Sequence, residues 1–400
     1  MKISSAPLSE HAEFIRGLTF KPSDKCETTA SDAVVCMRTK NVQKVLDQSD
    51  LIAIPSSVVK NKNKYLKSED ILVSSANSWN LVGKCCWVPE LEYDAVAGGF
   101  ISILRGKDSV DSRFLYHWFN SPRTQTTVRS FGNQTTNISN LDHKRTLKLE
   151  IPLPPLAEQK RISAILDAAD ALRQQRRKSI DLLDQLIQST FLHLFGDPVT
   201  NPKGWEHCSL KEYGVFKNGL NFGKGESGYN LYSIGVGDFK NHTNISGVTA
   251  LSEISLNKPP SDDYLLENGD LLLVRSNGNK ALVGRCLSVT PDTHKVSYSG
   301  FCIRYRIESH ELTSSYLVHL FRCKSFREYM LSGGRGANIQ NINQQILNSL
   351  DIPLPPLALQ QEFANTVEKI EAQKSRYRTQ LAELDTLFLS LQSRAFKGEL

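Results

Sequence analysis

The stretch IPLPPLAEQ, Ile151–Gln159, returns as IPLPPLALQ, Ile352–Gln360, 201 positions further along the chain. An internal repeat is sought before any other signal, because overlooking one misassigns the whole architecture. The same spacing relates Leu81-Val82-Gly83-Lys84-Cys85 to Leu282-Val283-Gly284-Arg285-Cys286, Gly99-Phe100 to Gly300-Phe301, and Asn137-Ile138 to Asn338-Ile339. Near the start of each copy, Phe14-Ile15-Arg16-Gly17-Leu18 resembles Phe216-Lys217-Asn218-Gly219-Leu220 at a spacing of 202, so small insertions separate the anchors. The chain reads as one unit written twice.

Each copy predicts a turn-rich β region followed by a long helix. Ile71-Leu72-Val73 and Leu271-Leu272-Leu273-Val274 follow the polar turns Ser68-Glu69-Asp70 and Asn268-Gly269-Asp270, the pattern of strands entered from tight loops. Residues 116–119 and 316–321 read as short helices packed on those strands. Steps of four and three from Phe363 give Val367, Ile370, Lys374, Tyr377, Leu381, Leu384, Phe388, Leu391 and Ala395, an apolar seam interrupted at Lys374. The first copy gives Ile162, Leu166, Ala169, Arg173, Arg176, Ile180, Leu183, Ile187, Thr190 and Leu194, and such spacing is that of a coiled-coil seam. Pro154-Pro155 and Pro355-Pro356 stiffen the entry to each helix, where proline is tolerated. Glu158 favours the positive helix start, a contribution lost where Leu359 stands in the second copy. Gly196-Asp197-Pro198 stops the first helix, and Asn201-Pro202-Lys203-Gly204 is a linker of turn formers. A helix over residues 157–194 is about 55 Å long at ~1.5 Å per residue.

These elements predict an α+β chain with β-rich domains at 1–153 and 196–354 and helices at 154–195 and 355–400. The two helices are expected to pair antiparallel as an intramolecular coiled coil, relating the β-rich heads by a pseudo-two-fold axis. A length of 400 residues favours more than one core, and 40% hydrophobic with 22% charged residues is a globular balance. The net charge of +6 suits a polyanionic partner without demanding one. None of the eight cysteines forms a C-x-x-C pair, so neither a zinc site nor a redox motif is expected. With no secretory signal and no long uncharged apolar run, the expected location is cytoplasmic, with reduced thiols and no membrane partner.

Proteins with approximate two-fold symmetry place one reader on each of two separated half-sites of a duplex. Divergent heads then imply a bipartite, asymmetric target. Duplicated β-rich domains, each followed by a P-L-P-P-L-x-x-Q helix, with Leu183-x-x-Leu186-x-x-Ser189 echoed by Leu384-x-x-Leu387-x-x-Ser390 and the ending Phe396-Lys397-Gly398-Glu399-Leu400, resemble the specificity subunit of type I restriction-modification systems. The resemblance spans essentially the whole chain. It implies two target recognition domains that bind double-stranded DNA, with the helices docking two methyltransferase subunits. S-adenosylmethionine, ATP and Mg are then expected in partner subunits, including the restriction/translocase subunits, with no cofactor or metal in this chain. Leu359 departs from the family pattern and puts equal contacts at the two helix starts in question.

The residues agree that catalysis lies elsewhere. An adenine methyltransferase needs an Asn/Asp-Pro-Pro-aromatic motif and a glycine loop, and neither is present; Gly235-Val236-Gly237 is a turn fragment and no Walker lysine loop occurs. Glu158-Gln159-Lys160 matches half of a nuclease motif but falls at a helix start.

DNA reading needs cations for phosphates and forked groups for base edges. The first head offers Lys60, Lys62, Lys64 and Lys67, with Asn77, Trp79 and Asn80 in the loop after a strand. The second offers Arg275, Asn277, Asn279 and Lys280 in the matching loop, and Arg322, Lys324, Arg327 and Arg335 in a basic stretch. Each taken singly also reads as a solvated surface residue. Within Ser332-Gly333-Gly334-Arg335-Gly336 the glycines suit a close approach to phosphate and equally suit a flexible turn. Arg173, Arg176, Arg177 and Lys178 are open to DNA or to acidic partners. Helix pairing and partner docking are assigned to Ile162, Leu166, Ala169, Ile180, Leu183, Ile187, Phe363, Val367, Ile370, Tyr377, Leu381, Leu384 and Phe388. The alternative to DNA reading is a duplicated coiled-coil adaptor between two proteins.

Overall fold

A computed structural model describes residues 4–134, 138–223, 225–240, 242–332 and 341–400. The chain divides into two units, one formed by residues 1–177 with 379–400 and the other by residues 178–378. Each unit holds one β-rich head and part of both long helices, Leu156–Phe195 and Leu357–Ala395.

In the first head a four-stranded antiparallel sheet runs in the order Ala12–Arg16, Ile101–Gly106, Ile71–Ser74, Cys85–Trp87. A three-stranded sheet orders Ala53–Pro55, Ala33–Met37 and Ala95–Ala97, its last pair parallel. The second head repeats the plan. Gly214–Asn218, Cys302–Ile307, Leu271–Val274 and Cys286–Thr290 follow the same order, extended by the parallel strand Asn244–Ser246. Its smaller sheet orders Ser252–Leu256, Tyr229–Ile234 and Val296–Tyr298.

The unbroken apolar run of each central strand follows from burial on both faces. Side chains alternate across a strand. Ile71 and Val73 therefore pack with Phe114, Leu115 and Phe119 of the helix Ser112–Phe119, while Leu72 packs with Val35, Met37 and Ala97 of the smaller sheet. In the second head Leu271 and Leu273 meet Tyr316, Leu317 and Leu320 of the helix Ser314–Arg322, whereas Leu272 and Val274 meet Ile234, Val296 and Tyr298. Each head is thus helix layer, sheet, sheet.

A buried ion pair fixes the turn into each central strand. Asp70 is 2% exposed; its two oxygens accept from Arg105 Nε and Nη2, both at 2.7 Å, and from the Lys67 backbone N–H. Asp270 takes Arg306 Nε at 2.9 Å, Nη2 at 2.7 Å and the Glu267 N–H in the same manner. Between acid and backbone donor the chain turns through positive φ, at Glu69 in one copy and at Gly269 in the other.

A short two-stranded sheet closes each head beside its long helix: Ser5–Pro7 with Glu150–Pro152, and His207–Ser209 with Asp351–Pro353. The glutamine that ends each repeated motif does the joining. Gln159, 1% exposed, donates to Pro154 O at 2.8 Å and accepts from the Asp111 N–H at 2.8 Å. Gln360, fully buried, donates to Pro355 O and Glu311 O and accepts from Thr313 N, each at 2.9 Å. Asp111 and Thr313 are the N-caps of the two packing helices. One amide therefore ties the start of each long helix to the start of the helix beneath its head. Glu158 is the acidic residue of the first long helix's opening turn, and the second has none. Among the described residues, no helix is long and apolar enough to cross a membrane.

Candidate nucleic-acid interface

The loops leaving the two central strands carry seven of the expected readers. In the first head Ala76–Asn77 pairs with Ser139–Asn140, which pairs with Asn133–Gln134. Asn77 is committed to the loop itself: its Oδ1 accepts from the Ser78 N–H at 2.9 Å and its Nδ2 donates to Ser74 Oγ at 3.1 Å. Trp79 stands 49% exposed, and Asn80 is exposed beside it. In the second head Asn277 Oδ1 accepts from the Asn279 N–H and Asn279 Oδ1 from the Ala281 N–H, two successive side-chain turns that leave Lys280 exposed. Arg275 is half-buried, its backbone held by Phe301 O and by the Ile342 N–H.

The remaining cations separate by environment. Lys60 and Lys62 are exposed, whereas Lys64 is half-buried and donates to Gly17 O at 3.3 Å. Lys324 projects fully, with 90% of its side chain exposed. Arg322 is half-buried against Cys286 O, and burial holds its guanidinium below the usual arginine range. Arg327 braces this loop of the second head, donating to Val283 O at 2.7 Å and Ala281 O at 2.8 Å. The buried Gln125 does the same in the first head through Gly83 O at 3.0 Å, a role the sequence did not signal. Arg335 and the glycines around it lie outside the described residues, as do Asn137, Asn338 and Ile339.

Two large side chains stand out on this edge. Phe100 is 64% exposed and Phe301 61% exposed, in the turn before the strands Ile101–Gly106 and Cys302–Ile307. The Gly-Phe repeat was visible in the sequence, its exposure was not, because phenylalanine reads as core.

The long helices carry the other candidate residues. In the first unit Ile162, Leu166 and Ala169 share one core with Phe388 and Ala395. In the second unit Ile187, Phe191 and Phe195 share one with Phe363 and Ile370, and Leu183 and Val367 pack against it. Ile180, Tyr377, Leu381 and Leu384 are half-buried. The polar seam residues form one device, present twice. Lys374, 2% exposed, places Nζ 2.5 Å from both Asp184 and Glu371. Arg173, exactly one repeat earlier in position, lies 2.6 Å from Asp385 and 2.7 Å from Asp170. Arg177 joins Asp385 at 2.9 Å. The acids that Arg173 and Arg177 meet therefore belong to this chain. Beside this seam His319 packs edge-on to Phe363, and burial pushes its pKa down to about 3, so the ring is neutral.

The type I restriction modification DNA specificity domain model matches twice, at residues 6–182 and 202–385. The chain belongs to that family. It is accordingly a type I specificity subunit with its DNA-recognition domains in tandem. The specificity subunit of the type I restriction enzyme StySPI from Salmonella potsdam is 27% identical over 420 residues, covering 99% of this chain and 89% of that protein. That of EcoKI from Escherichia coli K12 is 27% identical over 424 residues, covering 99% and 88%. The crystal structure of a type I S subunit from M. genitalium superposes with a TM-score of 0.52 at 15% identity, covering 99% of this chain and 96% of that one. A chain from a study of complex assembly and conformational transition in the type I restriction-modification system gives 0.56 at 17% identity over the full length of both. At these identities the two structures speak for the fold.

Proposed function

We propose that this specificity subunit reads a bipartite, asymmetric DNA site, one half with each head, and supplies the address for enzymes that it does not itself contain. The observation that carries the reading is the doubling of the same framework around different loops. The Asp–Arg turn, the braced loop after the central strand and the glutamine junction occur in both heads, while that loop is Ser78-Trp79-Asn80 in one and Asn279-Lys280-Ala281 in the other. Readers of one shape with different contacts suit two different half-sites. Exposed cations such as Lys60, Lys62, Lys280 and Lys324 hold phosphates, and the loop residues meet base edges.

The long helices pair antiparallel as an intramolecular coiled coil under this proposal. Support comes from within each unit, where Arg173 meets Asp385 and Asp184 meets Lys374, so residue numbers rise on one helix as they fall on the other. The helices dock two methyltransferase subunits, which bring S-adenosylmethionine, and the assembly recruits restriction/translocase subunits that use ATP and Mg.

Methylome sequencing of a host carrying the subunit with its methyltransferase tests the proposal. The expected result is a split, non-palindromic adenine-methylation motif, and exchange of residues 1–150 for those of another specificity subunit alters one half of it only. A continuous palindrome, or a change in both halves, refutes the assignment. Salt-sensitive binding to duplex would argue against the protein adaptor that ignores DNA, because phosphate neutralisation releases counterions.

A further inference from the structure

Phe100 and Phe301 occupy the same place in the two heads, and neither contributes to its core. A single exposed apolar side chain needs no explanation. These two differ from that ordinary case in three ways. They recur at one position in copies whose neighbouring loops have diverged. Their backbone is pinned: Phe100 O accepts from the Ser75 N–H at 2.8 Å and the Ala76 N–H at 3.2 Å, and Phe301 O from the Arg275 N–H at 2.8 Å. The strand beneath also passes too close for any side chain, since a Cβ at Gly17 would stand 2.1 Å from Gly98 O and one at Gly219 would stand 2.2 Å from Ser299 O. A rigid turn thus presents a large aromatic ring to solvent beside the residues that lead into the reading loop.

We infer that Phe100 and Phe301 are DNA wedges, one for each half-site, each inserting at a base step of the duplex held by its own head. The inference rests on the reading of the heads as DNA readers and adds a contact that is not sequence-specific. Phosphates offer an aromatic ring little and the thymine methyl is a sequence-specific contact, whereas a partly opened base step offers two π faces whatever the sequence. Unstacking is also what a base-modifying partner requires, because it acts on a nucleotide taken out of the helix. Each ring then serves as a positioning residue, loosening the stack near the base to be modified and filling the gap that opens.

The test uses the full complex of this subunit with its methyltransferase and a duplex carrying the motif read from the methylome. 2-Aminopurine is placed in turn at positions other than the methylated adenine. The wild type is expected to raise fluorescence at one step in each half. Phe100→Ala abolishes the rise in the first half alone and Phe301→Ala in the second, each weakening binding about tenfold, while Phe→Trp at either position restores both. Because the rings are exposed, thermal midpoints stay unchanged. Alanine variants that keep wild-type fluorescence and affinity on a duplex the wild type binds overturn the wedge and leave the DNA reading intact. Alanine variants that lose the methyltransferase during purification also overturn it, assigning the rings to a protein contact. A wild-type complex that fails to bind the duplex overturns the reading and the wedge together.

Discussion

Substituting Lys374 separates two accounts of the seam between the long helices. Its ammonium is 2% exposed and sits 2.5 Å from both Asp184 and Glu371, whose side chains keep 55% and 30% of their exposure. The lysine has given up most of its hydration, and the acids have not. Lys374→Met removes the dehydrated charge, leaves two carboxylates still in reach of water and fills a similar volume. The net change is expected to lie within about 1 kcal/mol, or to favour the variant, as when buried ion pairs give way to apolar residues. The double variant Asp184→Ala/Glu371→Ala leaves the ammonium buried without a counter-charge, and its expected cost is roughly 3–5 kcal/mol. For a unit of this size that lowers the midpoint by roughly 6–20 °C. Calorimetric unfolding of the full chain measures both. If Lys374→Met costs as much as the double variant, the lysine is a tether whose attraction outweighs its dehydration. If the double variant unfolds like the wild type, the seam is open to water at this point. Either result refutes the reasoning.

Gln360→Leu is expected to destabilise by roughly 1–3 kcal/mol, because it strands the buried Pro355 carbonyl and the part-buried Thr313 N–H, whereas Gln360→Glu keeps the acceptor and recovers only part of the loss; denaturant unfolding reads both. His319 supplies a pH dependence. Its folded pKa of about 3 lies below the unfolded value near 6.5, so the unfolded chain binds the extra proton between them. Stability is therefore full above pH 6.5 and falls as pH drops toward 3, by at most about 1.4 kcal/mol per unit. His319→Asn should flatten that part of the curve in unfolding titrations at pH 5 and 7, and an unchanged slope would place the effect elsewhere.

The repeat at Ile151 and Ile352 announced the duplication because its glutamine ties the long helix to the cap of the packing helix in each copy. The central strands were legible as apolar runs, and burial of both faces explains why no alternation marked them. Lys374 read as a flaw in the seam because the acid that completes its site lies 190 positions away on the other long helix. Arg173 looked available to DNA for the same reason, its partner Asp385 being 212 positions distant. Pairings across such spans leave no local trace. Asn77, Asn277 and Asn279 have the amides a base reader needs, yet turn formation occupies their oxygens, and a single chain of letters shows both uses alike.

Duplication sorts these residues by physical role. A group that must hold the chain in one shape meets the same demand in both heads, so Asp70 and Asp270, Gln159 and Gln360, and Arg173 and Lys374 retain one chemistry. A group that distinguishes bases is free to differ where the proposed half-sites differ, which suits the drift from Trp79-Asn80 to Lys280-Ala281. Phe100 and Phe301 keep one chemistry while touching no core. On the wedge proposal what they meet is common to both proposed half-sites, and in a duplex of unequal halves the shared features are the phosphate backbone and the base stack. A benzene ring has no charge for the first, which leaves the second.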